Sequence, residues 1–277
     1  MTASSHQATL TSPEIKDRDF RRIKEFLYKT SGIHLSDAKR SLVISRLSSR
    51  LRVLALPSFE AYFDIAMNPK NASERTWMLD ALTTNETYFF REPDHFVFLQ
   101  KLLMDHKAKT SWKIWSGASS SGEEIYTIAM IVADALGLKR DWLVTGTDLS
   151  TKVLKMAALG HYPLTRNEGI DIKHLKKYCL KGVDAQAGTF MIDPGLKEHC
   201  EFSQQNLMDS CDRLGMFDVI FLRNVMIYFD TESKQRVLKN VVRQLRVGGY
   251  FVISHAESLM NIQHSLTQVS PSIYKKD

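Results

Sequence analysis

Two adjacent carboxylates, Glu123 and Glu124, stand directly behind a run of small residues, Gly117-Ala118-Ser119-Ser120-Ser121-Gly122, and a third, Asp148, closes a short apolar run further along. Small residues at the end of a strand let backbone amides approach a ligand closely. A phosphate-cradling loop needs GxxxxGK[ST], but this one lacks the lysine, and two acids at a helix start repel phosphate. A nucleoside triphosphate is therefore disfavoured. Ser121 and Glu124 match an S-x-x-E capping box, which occupies Glu124 and leaves Glu123 to face a cationic or hydroxyl-bearing ligand. The competing reading is that both glutamates only offset the helix dipole. Asp148 suits a ribose diol, because one carboxylate can accept from both hydroxyls. Alternatively it caps the following helix, a role that Ser150 fills equally well. Together the acids fit a nucleoside without a strongly anionic group. S-adenosylmethionine, with its nucleoside, amino group and sulfonium, meets that description.

Two more segments supply polar groups. Thr83-Thr84-Asn85-Glu86-Thr87-Tyr88-Phe89-Phe90-Arg91 sets hydroxyls and an amide before an aromatic pair and an arginine. Arg223-Asn224 follows the apolar run VIFL and is expected at the same sheet edge as the glycine loop. A charge at the end of a buried strand is costly unless paired, so a surface salt bridge is the alternative role for each arginine.

The elements that must position these groups follow from periodicity. Residues 13–82 read as helical, with apolar positions recurring three and four apart and Val43, Leu47, Leu51 and Leu54 on one helix face. Lys39, Arg46 and Arg50 form a basic stripe beside that face. Beyond it, WKIWS (112–116), WLVTGTD (142–148), FDVIFLRN (217–224) and GGYFVIS (248–254) read as strands. Helices are expected over 123–136, 150–159 and 232–245, which argues for a parallel sheet covered on both faces. Residues 164–204 break the rhythm; with TFMID and CEFSQ as short strands, they read as an inserted antiparallel piece. Residues 1–12 are expected to be disordered, and the second domain to span 83–277.

The composition excludes several classes. The chain has 277 residues, 44% of them apolar and 25% charged, as in an ordinary folded protein. Its longest apolar run, Ile128-Ala129-Met130-Ile131-Val132-Ala133, is far short of the roughly 20 residues of a membrane span. The first residues, MTASSHQATLTS, carry no signal-peptide pattern, so a cytoplasmic protein is expected. Cys179, Cys200 and Cys211 lack a CxxC pair and read as reduced thiols, with no metal site implied. The net charge of +6 is concentrated in residues 16–56, where 11 Lys and Arg meet four acids. A basic head suggests an acidic partner.

TTNETYFFREPDHF, IWSGASSSGEEIYTIAM, TGTDLS, FDVIFLRNVMIYFD and SHAESL occur in the order and spacing of one family. On these motifs the chain resembles the CheR-type chemotaxis receptor methyltransferases over residues 13–274. The departures are small: Val247 stands for the usual Pro before GG, and Ser254 and Ala256 alter the usual GHSE. The resemblance implies an α/β fold, with a Rossmann-like S-adenosylmethionine-dependent methyltransferase domain, an N-terminal all-helical domain and a small inserted antiparallel β subdomain. It implies that Asn85, Thr87, Arg91, Glu123, Asp148, Asn206, Leu207, Arg223 and Asn224 bind the cofactor, which leaves as S-adenosylhomocysteine. Arg91 and Tyr228 would lie nearest the transferred methyl, and Lys39, Arg46 and Arg50 would meet the acidic helices of methyl-accepting chemoreceptors. In some members the β subdomain grips a peptide at the receptor C-terminus; the sequence identifies no regulatory partner.

The nucleophile of such a reaction is a glutamate carboxylate, ionised at neutral pH with a pKa of about 4.3, so no catalytic base is required. His95, His161 and His255 accordingly read as structural. A water-poor pocket walled by residues such as Phe89, Phe90 and Tyr228 would favour union of opposite charges. Arg91 would orient the incoming carboxylate, while Tyr228 would either donate a hydrogen bond or wall the site. A nucleic-acid methyltransferase is disfavoured, because no NPPY-like motif and no stacking aromatics accompany the arginines. A non-catalytic receptor-binding module is disfavoured by the presence of both Arg91 and Tyr228.

Overall fold

A computed structural model describes residues 14–277, so the expected disordered tail, 1–12, lies outside the described residues. The chain forms two compact units. One comprises the described residues to Thr30 with His34–Thr84, and the other Ser31–Ile33 with Asn85–Asp277.

The first unit is helical. It contains α1 (Asp17–Ser31), α2 (Arg40–Val53), α3 (Phe59–Met67) and α4 (Ala72–Leu82). Phe20, Ile23 and Leu27 of α1 are buried at helical spacing, as are Val43, Leu47 and Leu51 of α2. Leu54 falls one residue beyond α2 and is only half-buried. Ser58 caps α3, its hydroxyl accepting from the Ala61 amide.

The second unit begins with α5 (Asp94–Asp105), β1 (Ser111–Gly117), α6 (Glu123–Leu136), β2 (Asp141–Asp148) and α7 (Thr151–Leu159). An insertion follows, holding β3 (His161–Pro163), α8 (Ile172–Tyr178), β4 (Cys179–Lys181), β5 (Thr189–Ile192) and α9 (Pro194–Lys197). The chain then returns through β6 (Cys200–Gln204), β7 (Phe217–Leu222), α10 (Thr231–Val242), β8 (Leu245–Val252), β9 (Leu266–Ser270) and β10 (Ile273–Lys276).

Seven strands make one sheet in the order β6-β2-β1-β7-β8-β10-β9, and β3-β5-β4 form a small antiparallel sheet. Strands β6, β2, β1, β7 and β8 run parallel, and β10 pairs antiparallel with both β8 and β9, so β10 alone runs against the rest of the sheet. Successive side chains of the central strands point to opposite faces, as a period of two requires, and both faces are buried. Ile114, Val219 and Phe221 enter the cluster that includes α5 and α6. Trp115, Ile220 and Leu222 enter the one that includes α10. Ile125 through Ala133 of α6 are all buried, which is why that helix reads as continuously apolar. At Gly146 a Cβ would stand 1.7 Å from Ile125 Cδ1 and 3.2 Å from Phe202, so glycine leaves room for these side chains between α6 and β2.

Two expectations need correction. CEFSQ does not belong to the insertion: Cys200–Gln204 pairs in parallel with β2 in the large sheet. The helix expected to 245 stops at Val242, because Leu245 already starts β8 and packs into the core. The strands β9 and β10 and the helix α5 were not foreseen. Among the described residues no helix is long and apolar enough to cross a membrane. All three cysteines are free.

Candidate active site

The register of the parallel strands brings the predicted residues into one row. Gly117 lies opposite Thr147 on one side and Leu222 on the other, and Asp148 lies opposite Gln204. The segments that follow these ends, 118–122, 149–150, 205–207 and 223–224, therefore meet at a single carboxyl edge, where open α/β sheets bind ligands. The loop after β1 turns through left-handed backbone at Ala118, Ser120 and Gly122, with φ values of 58°, 51° and 98°. It is pinned to β2, with the Ser119 amide donating to the Thr147 carbonyl at 2.8 Å and the Ser120 amide to Asp148 Oδ2 at 2.9 Å. Asp148 Oδ1 accepts from the Ser150 amide at 2.9 Å, and Ser150, not Asp148, caps α7. The carboxylate is thus oriented by loop amides. Asn85 joins the same loop, its carbonyl accepting from the Ser120 hydroxyl at 2.8 Å.

The two glutamates have roles other than those read from the capping box. The cap of α6 is left-handed Gly122, which makes no side-chain bond, and the Ser121 hydroxyl donates instead to Glu123 at 2.7 Å. Glu124 accepts from Ser116 at 2.7 Å and from Arg223 at 2.8 Å. Glu123 is not a spare group: it is fully buried and accepts from Arg166 of the insertion. Sequence reasoning missed Arg166, which sits in a one-turn helix with no periodic pattern around it.

Arg223 also departs from expectation. Its side chain is only 1% exposed and lies between Glu124 and Glu92, with a further bond to the Arg91 carbonyl and Phe96 beneath its guanidinium. The head group is a buried cross-link, which leaves only the backbone at this position for a ligand. Glu92 additionally accepts from the His255 amide at 3.1 Å and from Asn224 Nδ2 at 3.4 Å. Burial pushes its pKa up, but the Arg223 charge and these bonds bring it below the ordinary carboxylate value. Glu257, within SHAESL, accepts from the amides of Asn224, Met226 and Ser254, which fixes the turn after β7 with Asn224 at φ 58°.

His95 is fully buried, bonded to Ser272 at 2.7 Å, and its pKa is pushed down to about 4 by burial and then by the Arg223 charge. Glu92, His95 and His255 bring three ligand-type atoms within 4.8 Å of one another. A metal cation there would face Arg223, 3.3 Å from the same carboxylate, and this opposes metal binding.

Phe89 and Phe90 do not wall the site. Phe89 is fully buried against Tyr162 and Phe190, and Phe90 packs on Phe96 and His174, so the pair anchors the insertion to the core. Arg91 and Tyr228 are half-buried; the Arg91 guanidinium lies over Tyr88 and donates to the Glu86 carbonyl at 3.3 Å. Thr87 is half-buried. Asn206 accepts from the Met208 amide at 3.1 Å, and the buried Leu207 offers its carbonyl to Asn240 at 3.0 Å. A cavity of about 390 Å³ lies past the ends of β2 and β6, lined by Leu149, Gln204, Gln205, Asn206, Asp209, Ser210 and Arg213, so of the predicted residues it takes in Asn206 alone. That volume suits a small ligand, for which sites of about 300–1,000 Å³ are usual. The glycine loop and the oriented carboxylate at the strand ends fit a nucleoside.

In the helical unit the basic stripe is largely engaged. Arg46 donates to the carbonyls of Leu82 and Thr83 at 2.8 and 2.9 Å and to the Thr84 hydroxyl at 3.0 Å. Arg50 makes a two-bond pair with Glu74 and lies over Trp77. Its hydrogen bonds hold the nearly buried Glu74 below the usual carboxylate range. Arg18 and Arg22 pair with Glu60 and Asp64, which with the pair of Arg50 and Glu74 offsets three of the seven surplus charges of residues 16–56, while Lys24 and Arg40 pair with Asp37 and Asp17 inside that stretch. Lys39 is exposed.

Comparison with known proteins agrees with this architecture. The family model "CheR methyltransferase, SAM binding domain" matches residues 85–274, and "CheR methyltransferase, all-alpha domain" matches residues 18–83. The chain is 36% identical over 264 residues to the chemotaxis protein methyltransferase of Salmonella typhimurium, covering 94% of this chain and 90% of that protein. It is 38% identical over 262 residues to chemotaxis protein methyltransferase 2 of Pseudomonas aeruginosa, covering 92% of each. To the chemotaxis protein methyltransferase of Escherichia coli K12 it is 35% identical over 264 residues, covering 94% of this chain and 91% of that protein.

Proposed function

The chain belongs to the CheR methyltransferase family, and on that premise we propose that it esterifies glutamate side chains on the cytoplasmic helices of chemoreceptors, with S-adenosylmethionine as methyl donor. The observation that carries this reading is Asp148, held by two loop amides at the carboxyl edge of the sheet. Asp148 would take the ribose hydroxyls, Glu123 the amino group, and Asn206 with Leu207 the base. Asn85, Thr87 and the backbone of Arg223 and Asn224 would complete the pocket.

When bound, S-adenosylmethionine supplies a methyl carbon made electrophilic by a positive sulfur. Arg91 and Tyr228, both half-buried, would face the incoming carboxylate. The substrate glutamate is already ionised, so neither residue has to remove a proton. Their task is to align oxygen with carbon, a positioning effect worth up to about 7–11 kcal/mol in well-oriented systems. Arg91 is tethered through the Glu86 carbonyl and stacked on Tyr88, so its head group arrives pre-oriented. Exposed Lys39 would contribute to docking of acidic receptor helices. In this reading the β3-β5-β4 sheet would receive a receptor tail peptide.

The test is incubation of the protein with methyl-labelled cofactor and a receptor cytoplasmic fragment. Glutamyl methyl esters release methanol in mild alkali, whereas methylated amines do not. Label that resists alkali, or no label at all, rejects the proposal.

A further inference from the structure

Glu123 is fully buried, and both of its oxygens are engaged. Oε2 accepts from the Ser121 hydroxyl, and Oε1 accepts from Arg166 Nη1, which also donates to Ser121 at 3.2 Å. The partners differ sharply in environment: the Glu123 side chain has no exposure, whereas that of Arg166 is 43% exposed. A buried carboxylate without a positive partner is costly, while a half-exposed guanidinium can regain water by rotating outward. When another cation arrives at Glu123, Arg166 is therefore the group that moves.

We propose that Arg166 is an exchangeable counter-ion for Glu123, displaced by the α-ammonium of the cofactor's amino-acid tail. This rests on the reading of Glu123 as a cofactor contact. An ammonium has three donors and can satisfy the same oxygen that Arg166 bonds. Arg166 belongs to the turn Leu164–Arg166, which follows Tyr162, whose hydroxyl donates to the Ser121 carbonyl at 2.7 Å. Tyr162 holds the start of the insertion on the glycine loop, so the exchange needs only the arginine side chain to leave. Loading the cofactor thereby loosens one tether between the insertion and the cleft.

The test compares two ligands on the full chain by calorimetry. S-adenosylhomocysteine carries the ammonium, and 5′-methylthioadenosine shares the adenosine and thioether but lacks it. Arg166→Gln is expected to tighten S-adenosylhomocysteine binding about three- to fivefold, since a partly exposed pair is worth up to about 1 kcal/mol. Methylthioadenosine affinity should stay within about twofold. In a Glu123→Gln background the same Arg166 change should have no effect on either ligand. Weaker or unchanged S-adenosylhomocysteine binding in Arg166→Gln, or equal shifts for both ligands, overturns the exchange. On the unmodified protein, S-adenosylhomocysteine but not methylthioadenosine should raise hydrogen exchange across Leu164–Arg166, and equal protection by both also overturns it. If the unmodified protein binds neither ligand, the cofactor reading itself fails, an outcome distinct from failure of the exchange.

Discussion

Replacing Arg223 with methionine separates a structural cross-link from a ligand contact. The guanidinium is 1% exposed, 2.8 Å from Glu124 and 3.3 Å from Glu92, and methionine keeps the apolar stem while removing the charge. Two largely buried carboxylates then lose their shared cation. Breaking a buried ion pair from one side costs about 3–5 kcal/mol. In a unit of this size each kcal/mol lowers the melting temperature by about 2–4 °C, so a fall of about 6–20 °C is expected. The deficit should shrink as pH is lowered from 8 to 5. Without the Arg223 charge, burial raises the Glu92 carboxyl with only its bonds from the His255 amide and Asn224 to oppose it, so protonation relieves part of the strain at low pH. Arg223→Lys should recover part of the loss, because it restores the charge but not the two-pronged geometry. The assay is thermal denaturation by circular dichroism across that pH range, with S-adenosylhomocysteine calorimetry alongside. A variant that melts within about 2 °C of the parent yet binds S-adenosylhomocysteine poorly would refute the assignment, because the guanidinium would then be a ligand contact.

Asp148→Asn should weaken S-adenosylhomocysteine binding by roughly 10- to 150-fold, the value of a hydrogen bond to a charged group (about 1.5–3 kcal/mol), with calorimetry as the measure. The folded pKa of His95 is about 4 and its unfolded value 6.5, so its contribution is complete above pH 6.5 and is lost as pH falls toward 4. That gap corresponds to about 3 kcal/mol, and melting curves of His95→Gln should be flatter than those of the parent over this window. Lys39→Glu should slow methylation of an acidic receptor fragment, most strongly at low salt, while leaving the melting temperature nearly unchanged. Arg50→Glu should instead lower the melting temperature, because it sets a like charge against the nearly buried Glu74.

Strands were legible where apolar runs ended in small or polar residues: 112–116 and 142–148 fall inside β1 and β2, and 217–224 contains β7. The residues at those strand ends could be placed at one edge because parallel strands share a direction. Pairing was not legible. CEFSQ carries no mark that assigns it to the large sheet, since its neighbour β2 lies beyond the whole insertion. The partners of charged side chains were equally hidden. Arg46 and Arg50 have the helical spacing of an exposed stripe, and only their distant partners at Leu82, Thr83 and Glu74 reveal their engagement. Ser121 met the spacing of a capping box, but the left-handed turn at Gly122 redirects its hydroxyl to Glu123.

The contrast between the two arginines at the sheet edge bears on how the site manages charge. A substrate carboxylate approaching this edge would be repelled by Glu92, Glu123 and Glu124 if they stood unpaired. Glu92 and Glu124 are neutralised by Arg223, whose burial makes that pairing permanent, because removing it would strand charge on both sides. Glu123 is neutralised by Arg166, which water can stabilise when the pair opens. One arrangement builds the wall, and the other leaves a carboxylate that can be handed to a ligand cation without ever being left bare. Both glutamates begin α6 in adjacent positions, so their difference comes from where each partner arginine sits. Arg223 follows a core strand, and Arg166 lies on an exposed turn of the insertion. Transferring the exposed arginine to a buried site should therefore turn a ligand contact into another structural cross-link.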